Sequence, residues 1–243
     1  MTETKRPERP RKSNKSMPGT SASLRVAVVT LFPGMFTGPL TESILRRAQE
    51  KGLLEVSFVD PRDFSEDKHR TVDDRPYGGG PGMVLMAEPL YKAIKKARRP
   101  RAKVILMSPQ GRRLDQATAK KLSKAKDLVL VCGHYEGVDE RVMDFVDLEL
   151  SLGDFVMTGG ELAAMAVIDA AARLIPGVLV KEGAAEAESF TEPLLDHPHY
   201  TRPRVWRGRE VPPALLSGDH AAIAAWRGKA ARAATRRKRP DLL

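Results

Sequence analysis

The chain has 243 residues, enough for one core or for a main domain with a smaller appendage. Its net charge of +10 is high for a composition that is otherwise ordinary, with 42% apolar and 30% charged residues. The excess indicates a polyanionic partner such as nucleic acid; a merely solvated basic surface is the alternative. No apolar run reaches membrane-spanning length and no apolar signal core opens the chain, so we expect a soluble cytoplasmic protein.

The first segment, residues 1–23, carries six basic and two acidic residues among Pro and Ser, and we predict a disordered basic tail. A strand over 24–31, a helix over 38–51 and a strand over 53–60 then form a β-α-β opening. An irregular stretch over 61–82 follows. Beyond it the pattern predicts helices over 88–99, 115–123 and 160–174, and strands over 103–107, 127–132 and 146–150. Such alternation is typical of an α/β domain with a parallel sheet, which we assign to residues 24–178.

The C-terminal part differs in composition. Residues 179–191 are rich in Gly, Ala and Glu and predict a flexible linker. Residues 192–243 combine several prolines with one helical run over 219–235 and a basic cluster, which indicates a small helical domain that binds nucleic acid. The single cysteine, Cys132, excludes an intrachain disulfide, and its place in an apolar strand predicts a buried thiol and not a nucleophile.

Three loops, at 108–111, 133–137 and 152–160, each follow a predicted strand and are rich in glycine. Because ligands bind at the carboxyl ends of strands in open α/β sheets, we expect these loops to form one site. A further glycine loop, 77–83, lacks the Lys-Ser or Lys-Thr pair of a phosphate loop, and a tight turn without a ligand is its alternative interpretation. The spacing also does not match the dinucleotide fingerprint, so a nicotinamide cofactor is not expected.

Several ordered motifs carry a family resemblance. They are Leu31-Phe32-Pro33, Pro61-Arg62-Asp63-Phe64, the stretch 69–83, Ser108-Pro109-Gln110-Gly111, the stretches 132–141 and 152–161, Pro198-His199-Tyr200-Thr201-Arg202-Pro203, and Leu215-Leu216-Ser217-Gly218. Over residues 24–243 the chain resembles the bacterial tRNA guanine-N1 methyltransferases of the SPOUT class, which modify guanosine 37, just 3′ of the anticodon. Within that class a ribose 2′-O-methyltransferase is the alternative, and a non-catalytic RNA-binding protein is the alternative outside it.

The resemblance implies a parallel sheet with a deep trefoil knot in its C-terminal half, which is an exception to the rule against knotted chains. It implies S-adenosylmethionine as the methyl donor, tRNA as the substrate, and a homodimer whose active sites use both subunits. The implied cofactor-binding residues lie in the three glycine-rich loops: Ser108, Pro109, Gly133, Tyr135, Glu136, Leu152, Gly153, Asp154, Phe155, Val156, Met157, Gly159 and Gly160.

The resemblance also implies two catalytic residues. Glu188 stands at the position of the family's general base, which is usually Asp, and Arg173 stands at the position of an assisting arginine. Taken from the residues alone, Glu188 is one acid in a Glu-rich linker and Arg173 is a cation at a helix C-terminus. The family usually has Gly where this chain has Pro193, and many relatives have Arg where it has His134, to which we assign no catalytic role.

A metal site is not predicted. The nearest pair of histidines, His197 and His199, lacks the spacing and the cysteines of a zinc site. The resemblance implies a magnesium requirement, but the sequence does not show its ligands.

Overall fold

The computed structural model describes residues 23–180 and 188–243. The predicted disordered tail therefore lies outside the described residues, except for Ser23, and so does the central part of the predicted linker. In chain order the strands are β1 (Leu24–Val29), β2 (Leu54–Val59), β3 (Asp73–Asp74), β4 (Val84–Leu85), β5 (Lys103–Arg113), β6 (Asp127–Cys132), β7 (Leu148–Ser151), β8 (Val205–Trp206) and β9 (Arg209–Glu210). The helices are α1 (Thr37–Thr41), α2 (Ser43–Glu50), α3 (Ala87–Ala97), α4 (Gln116–Leu122), α5 (Glu161–Ala172) and α6 (His220–Lys238).

The predicted α/β class is confirmed. Five strands form one parallel sheet in the order β2-β1-β6-β5-β7. The register aligns Val26 with Val56 on one side and with Leu128 on the other. Short 3-10 helices occupy Pro33–Phe36, Pro61–Phe64, Glu140–Phe145, Pro213–Leu216 and Pro240–Leu242.

The central strands are buried on both faces, so their side chains alternate between two apolar layers. In β6, Leu128, Leu130 and Cys132 pack with α1, α2, α4 and α5 on one face. Val129 and Val131 point to the other face and pack with α3. The nearly continuous apolar run of 128–132 is therefore what a strand needs when helices cover both sides of the sheet.

The structure corrects three predicted elements. The helix predicted over 38–51 is two helices, because Glu42 adopts an extended conformation between them. Hydrophobic spacing did not indicate this break, since Leu40 and Leu45 remain buried on the same side of the sheet. The stretch predicted to be irregular contains β3, which pairs with β4. The C-terminal region contains a hairpin of β8 and β9 that was not predicted.

The predicted loop at 108–111 is also wrong in detail, because β5 continues through it to Arg113. The pairing with β7 shifts register between Met107 and Arg112, so the strand bulges at the predicted site instead of ending there. A Cβ on Gly111 would lie 2.5 Å from the carbonyl carbon of Glu149. Glycine is required here because β7 passes directly beside the bulge.

Candidate active site

One cavity of about 330 Å³ lies where β6 and β7 end and where β5 bulges. This volume is near the lower end of the range of roughly 300 to 1,000 Å³ that is typical of small-molecule sites. The cavity forms there because β5 lies between β6 and β7 in a parallel sheet, which brings the bulge of β5 and the segments after β6 and β7 to one edge. The predicted convergence of the three segments is thus confirmed.

The structure places twelve of the thirteen predicted cofactor residues in the cavity wall. Asp154, which is exposed, is the one predicted residue that does not line it. The wall combines backbone at the glycines with exposed apolar side chains at Tyr135, Phe155 and Val156. A neutral adenine ring and the aliphatic part of a methionine chain are bound by such a mixture of backbone polar groups and apolar surface. The residues present therefore fit a nucleoside methyl donor, while the individual contacts stay a prediction.

Two glycines in the cavity wall allow neighbouring segments to pack closely against their backbone. A Cβ on Gly160 would lie 2.8 Å from the Cα of Cys132 and 3.0 Å from the Cβ of Met107. A Cβ on Gly159 would collide with the imidazole of His134. Because Gly160 is also the N-cap of α5, its backbone brings the start of that helix against the end of β6.

A buried polar network lies behind the cavity wall, and the sequence analysis missed it. Glu161 is fully buried, and its Oε1 accepts a hydrogen bond of 2.6 Å from the hydroxyl of Thr30. Its Oε2 is 2.7 Å from Nε2 of His134. A buried carboxylate needs such partners because an unpaired charge is costly in the interior. The network joins the ends of β1, β6 and the start of α5, and the signal for it was the acidic residue that directly follows the glycine pair.

The two predicted catalytic residues are brought together as an ion pair. Arg173 donates from Nη1 to Oε2 of Glu188 at 2.6 Å and from Nη2 to Oε1 at 2.7 Å, a bidentate geometry. The guanidinium lowers the pKa of Glu188, and the carboxylate in turn raises the pKa of Arg173. Glu188 is therefore ionised at neutral pH.

This pair does not line the cavity. Arg173 is the C-cap of α5, whereas the N-cap Gly160 is in the cavity wall. A helix of 12 residues spans ~18 Å, so the two ends of α5 are separated by that length. Within a single chain, the candidate donor site and the candidate base therefore lie at opposite ends of α5.

The remaining predicted features have clear positions. Cys132 is buried, as predicted, and burial raises the pKa of its thiol well above the ordinary value, so the group stays protonated. In the glycine loop 77–83 four glycines have positive φ, and the carbonyl of Met83 accepts a hydrogen bond from the amide of Glu136. This hydrogen bond connects the loop to Glu136, which lines the cavity. None of the helices in the described part of the chain combines the length and the apolar character needed to cross a membrane.

Asp196, which the sequence analysis did not consider, lies beside the two histidines of the 197–199 segment. The potential ligand atoms of Asp196, His197 and His199 lie within 4.8 Å of one another. Nε2 of His199 is 2.8 Å from Oδ2 of Asp196, so a hydrogen bond already accounts for this pair. Two imidazoles and one carboxylate do not fit Mg²⁺, which prefers an octahedron of oxygen ligands.

The chain is similar to known proteins over most of its length. The family model described as tRNA (Guanine-1)-methyltransferase TrmD matches residues 24–243. A tRNA (guanine-N(1)-)-methyltransferase of Myxococcus xanthus is 60% identical over 220 residues, which cover 89% of each chain. Proteins of the same name from Anaeromyxobacter sp. (strain K) and Geobacter sulfurreducens are 58% and 56% identical and cover 90% or more of both chains. The chain therefore belongs to the tRNA (guanine-N1) methyltransferase family.

Proposed function

We propose that this protein transfers the methyl group of S-adenosylmethionine to N1 of guanosine 37 in tRNA. The observation that carries the proposal is the convergence of the glycine-rich segments on one cavity in a chain that matches the family over nearly its whole described length. The net charge of +10 supports a polyanionic substrate. The free, buried Cys132 is consistent with a reducing cytoplasm. We also propose that the segments around the cavity form the trefoil knot of the SPOUT class.

When bound, S-adenosylmethionine supplies a methyl group on a positively charged sulfonium. The protein must then hold N1 in line with that group, accept the N1 proton and stabilise the charge that develops on O6 of guanine. We assign the proton to the carboxylate of Glu188, which the low pKa keeps ionised before the reaction. Proton transfer neutralises Glu188 and weakens its ion pair, so the guanidinium of Arg173 becomes available to the charge on O6.

We further propose that a second copy of the chain completes each site. Support comes from α5, whose N-cap Gly160 lines the cavity while Arg173 is its C-cap, about 18 Å away along the helix axis. Methyl transfer needs reacting atoms about 3 to 3.5 Å apart. In a homodimer the cavity of one subunit would face the pair of the other, which removes this separation.

The activity is tested by incubating undermodified tRNA with the protein and S-adenosylmethionine and analysing the nucleosides by mass spectrometry. We expect 1-methylguanosine at position 37, and its absence would overturn the assignment. Glu188→Gln keeps the shape of the side chain and removes the base, so we expect turnover to fall by roughly 10²- to 10⁴-fold. Binding of S-adenosylmethionine by calorimetry is the control, because Glu188 lies outside the cavity and the affinity stays unchanged.

Shared sites are tested with mixed dimers. A subunit carrying Glu188→Gln is co-expressed with a subunit carrying Gly133→Leu, and the heterodimer is purified with two affinity tags. Gly133 lines the cavity, and a Cβ there meets no atom closer than 3.6 Å, so the added side chain obstructs the cavity without a backbone clash. If sites are shared, one site of the heterodimer has both defects and the other has neither, so about half of the normal activity returns. If each chain forms its own site, both sites are defective and no activity returns, which would refute the shared arrangement.

A further inference from the structure

The hairpin of β8 and β9 is exposed to solvent, and no other described segment of the chain packs over it. All residues from 201 to 210 are exposed, although Val205 pairs with Glu210 and Trp206 pairs with Arg209. A two-residue turn joins the strands, and both of its residues, Arg207 and Gly208, have positive φ. This is the backbone of a tight hairpin turn, which gives the exposed side chains a defined direction.

Trp206 is the unusual residue of this hairpin. Its side chain is large and apolar, yet it is 57% exposed, whereas tryptophan is highly buried on average. The guanidinium carbon of Arg207 lies 5.0 Å from the centre of the ring, so a cation is held over the aromatic surface. The other tryptophan, Trp226 on α6, is partly buried and contacts the rings of His197 and Tyr200.

The surroundings of Trp206 are strongly basic. Four arginines and one acid lie within the segment 201–210, and none of the arginines forms an ion pair with a described residue. The arginines are Arg202, Arg204, Arg207 and Arg209. Arg239, by contrast, is paired with Asp241 through two hydrogen bonds. Unpaired guanidinium groups around an exposed ring are suited to phosphates beside an unstacked base.

We propose that the hairpin 204–211 is a stacking platform for an unpaired base of the tRNA substrate. The ring of Trp206 stacks on the base, while the four arginines contact the flanking phosphates. The inference rests on the proposed function only in that the substrate is tRNA. RNA is the more suitable partner than another protein, because four unpaired arginines against one acid give the hairpin a net positive charge that complements a phosphate backbone.

The platform is tested first by affinity. Loss of one base–aromatic stack by alanine substitution raises the Kd of a single-stranded site by roughly 5- to 100-fold. We expect this increase for Trp206→Ala with an unmodified tRNA transcript, and a much smaller one for Trp206→Phe, which keeps a ring. Val205→Ala is the matched control, since it removes an exposed apolar side chain from the same hairpin. Arg207→Ala should lower the slope of log Kd against log salt by about one.

Fluorescence gives a second, direct readout, because the chain has two tryptophans. In Trp226→Phe the emission comes from Trp206 alone. Unmodified tRNA should quench it, and a fully paired RNA duplex of similar charge should bind without quenching. Unchanged emission with bound tRNA would overturn the stacking assignment.

The outcomes separate this inference from the proposed function. If wild-type protein forms 1-methylguanosine but Trp206→Ala binds tRNA as tightly as Val205→Ala does, the platform is refuted and the activity stands. If wild-type protein neither binds tRNA nor methylates it, the proposed function fails first. If Trp206→Ala instead changes the sedimentation coefficient at unchanged tRNA affinity, the hairpin is a contact between copies of the chain, and the inference is wrong.

Discussion

The network behind the cavity predicts a strong energetic coupling between His134 and Glu161. Removal of His134 by alanine leaves the carboxylate of Glu161 with the Thr30 hydroxyl and no imidazole, while its side chain is only 1% exposed. Leaving a buried polar group without its hydrogen-bond partner typically costs about 1 to 3 kcal/mol. The imidazole itself is 12% exposed, so water can enter after its removal, and we expect a loss of about 2 kcal/mol.

The double variant His134→Ala/Glu161→Ala shows whether the loss of stability comes from the contact between the two side chains. Glu161→Ala also destabilises the protein, because the hydroxyl of Thr30 loses its acceptor and a small cavity forms. In the double variant neither side chain is left without its hydrogen-bond partner, so its destabilisation should be smaller than the sum of the two single effects by about 1 kcal/mol. Urea unfolding of the four proteins measures the cycle. His220→Ala, at an exposed position on α6, is the control for loss of a histidine.

The result that would refute the reasoning is additivity within about 0.5 kcal/mol. It would mean that the hydrogen bond of 2.7 Å between His134 and Glu161 contributes nothing to stability beyond the separate packing of the two side chains. The same variants also report on the site. Because His134 lines the cavity, we expect His134→Ala to raise the Kd of S-adenosylmethionine by about tenfold or more through movement of the 133–137 loop.

Three further predictions follow from other features. Gly160→Ala places a Cβ 2.8 Å from the Cα of Cys132, so it should destabilise the fold by about 1 to 3 kcal/mol and weaken the binding of S-adenosylmethionine in calorimetry. In the control Gly34→Ala the new Cβ meets no atom within 4 Å, so neither effect is expected. Arg25 lowers the pKa of Asp127 through two hydrogen bonds, so the carboxylate stabilises the protein above its ordinary pKa of 3.8 and loses this effect as the pH falls through the lowered value. Urea unfolding should therefore show a stability advantage over Asp127→Asn at neutral pH that disappears in acid, and a constant difference would contradict the assignment. Affinity for tRNA should fall steeply between 50 and 200 mM salt in filter binding, and salt-independent binding would exclude phosphate contacts.

The sequence alone predicted a parallel sheet and the position of the cavity because both depend on local patterns. Runs of apolar residues that are buried on both faces, such as 127–132, can only be central strands when helices alternate with them. Glycines at 133, 153, 159 and 160 indicated where backbone is exposed at strand ends, and parallel pairing placed those ends together.

Other features were decided only by tertiary contacts. The continuation of β5 through the 108–111 segment depends on β7 passing beside Gly111, which no local signal reports. The network of Thr30, His134 and Glu161 joins residues that are as many as 131 positions apart. The exposed state of Trp206 likewise follows from the absence of any neighbour over its hairpin among the described residues. Sequence determined which segments were strands and turns, because propensity and burial pattern are local; structure alone decided which side chains meet, because those contacts depend on the packing of distant elements.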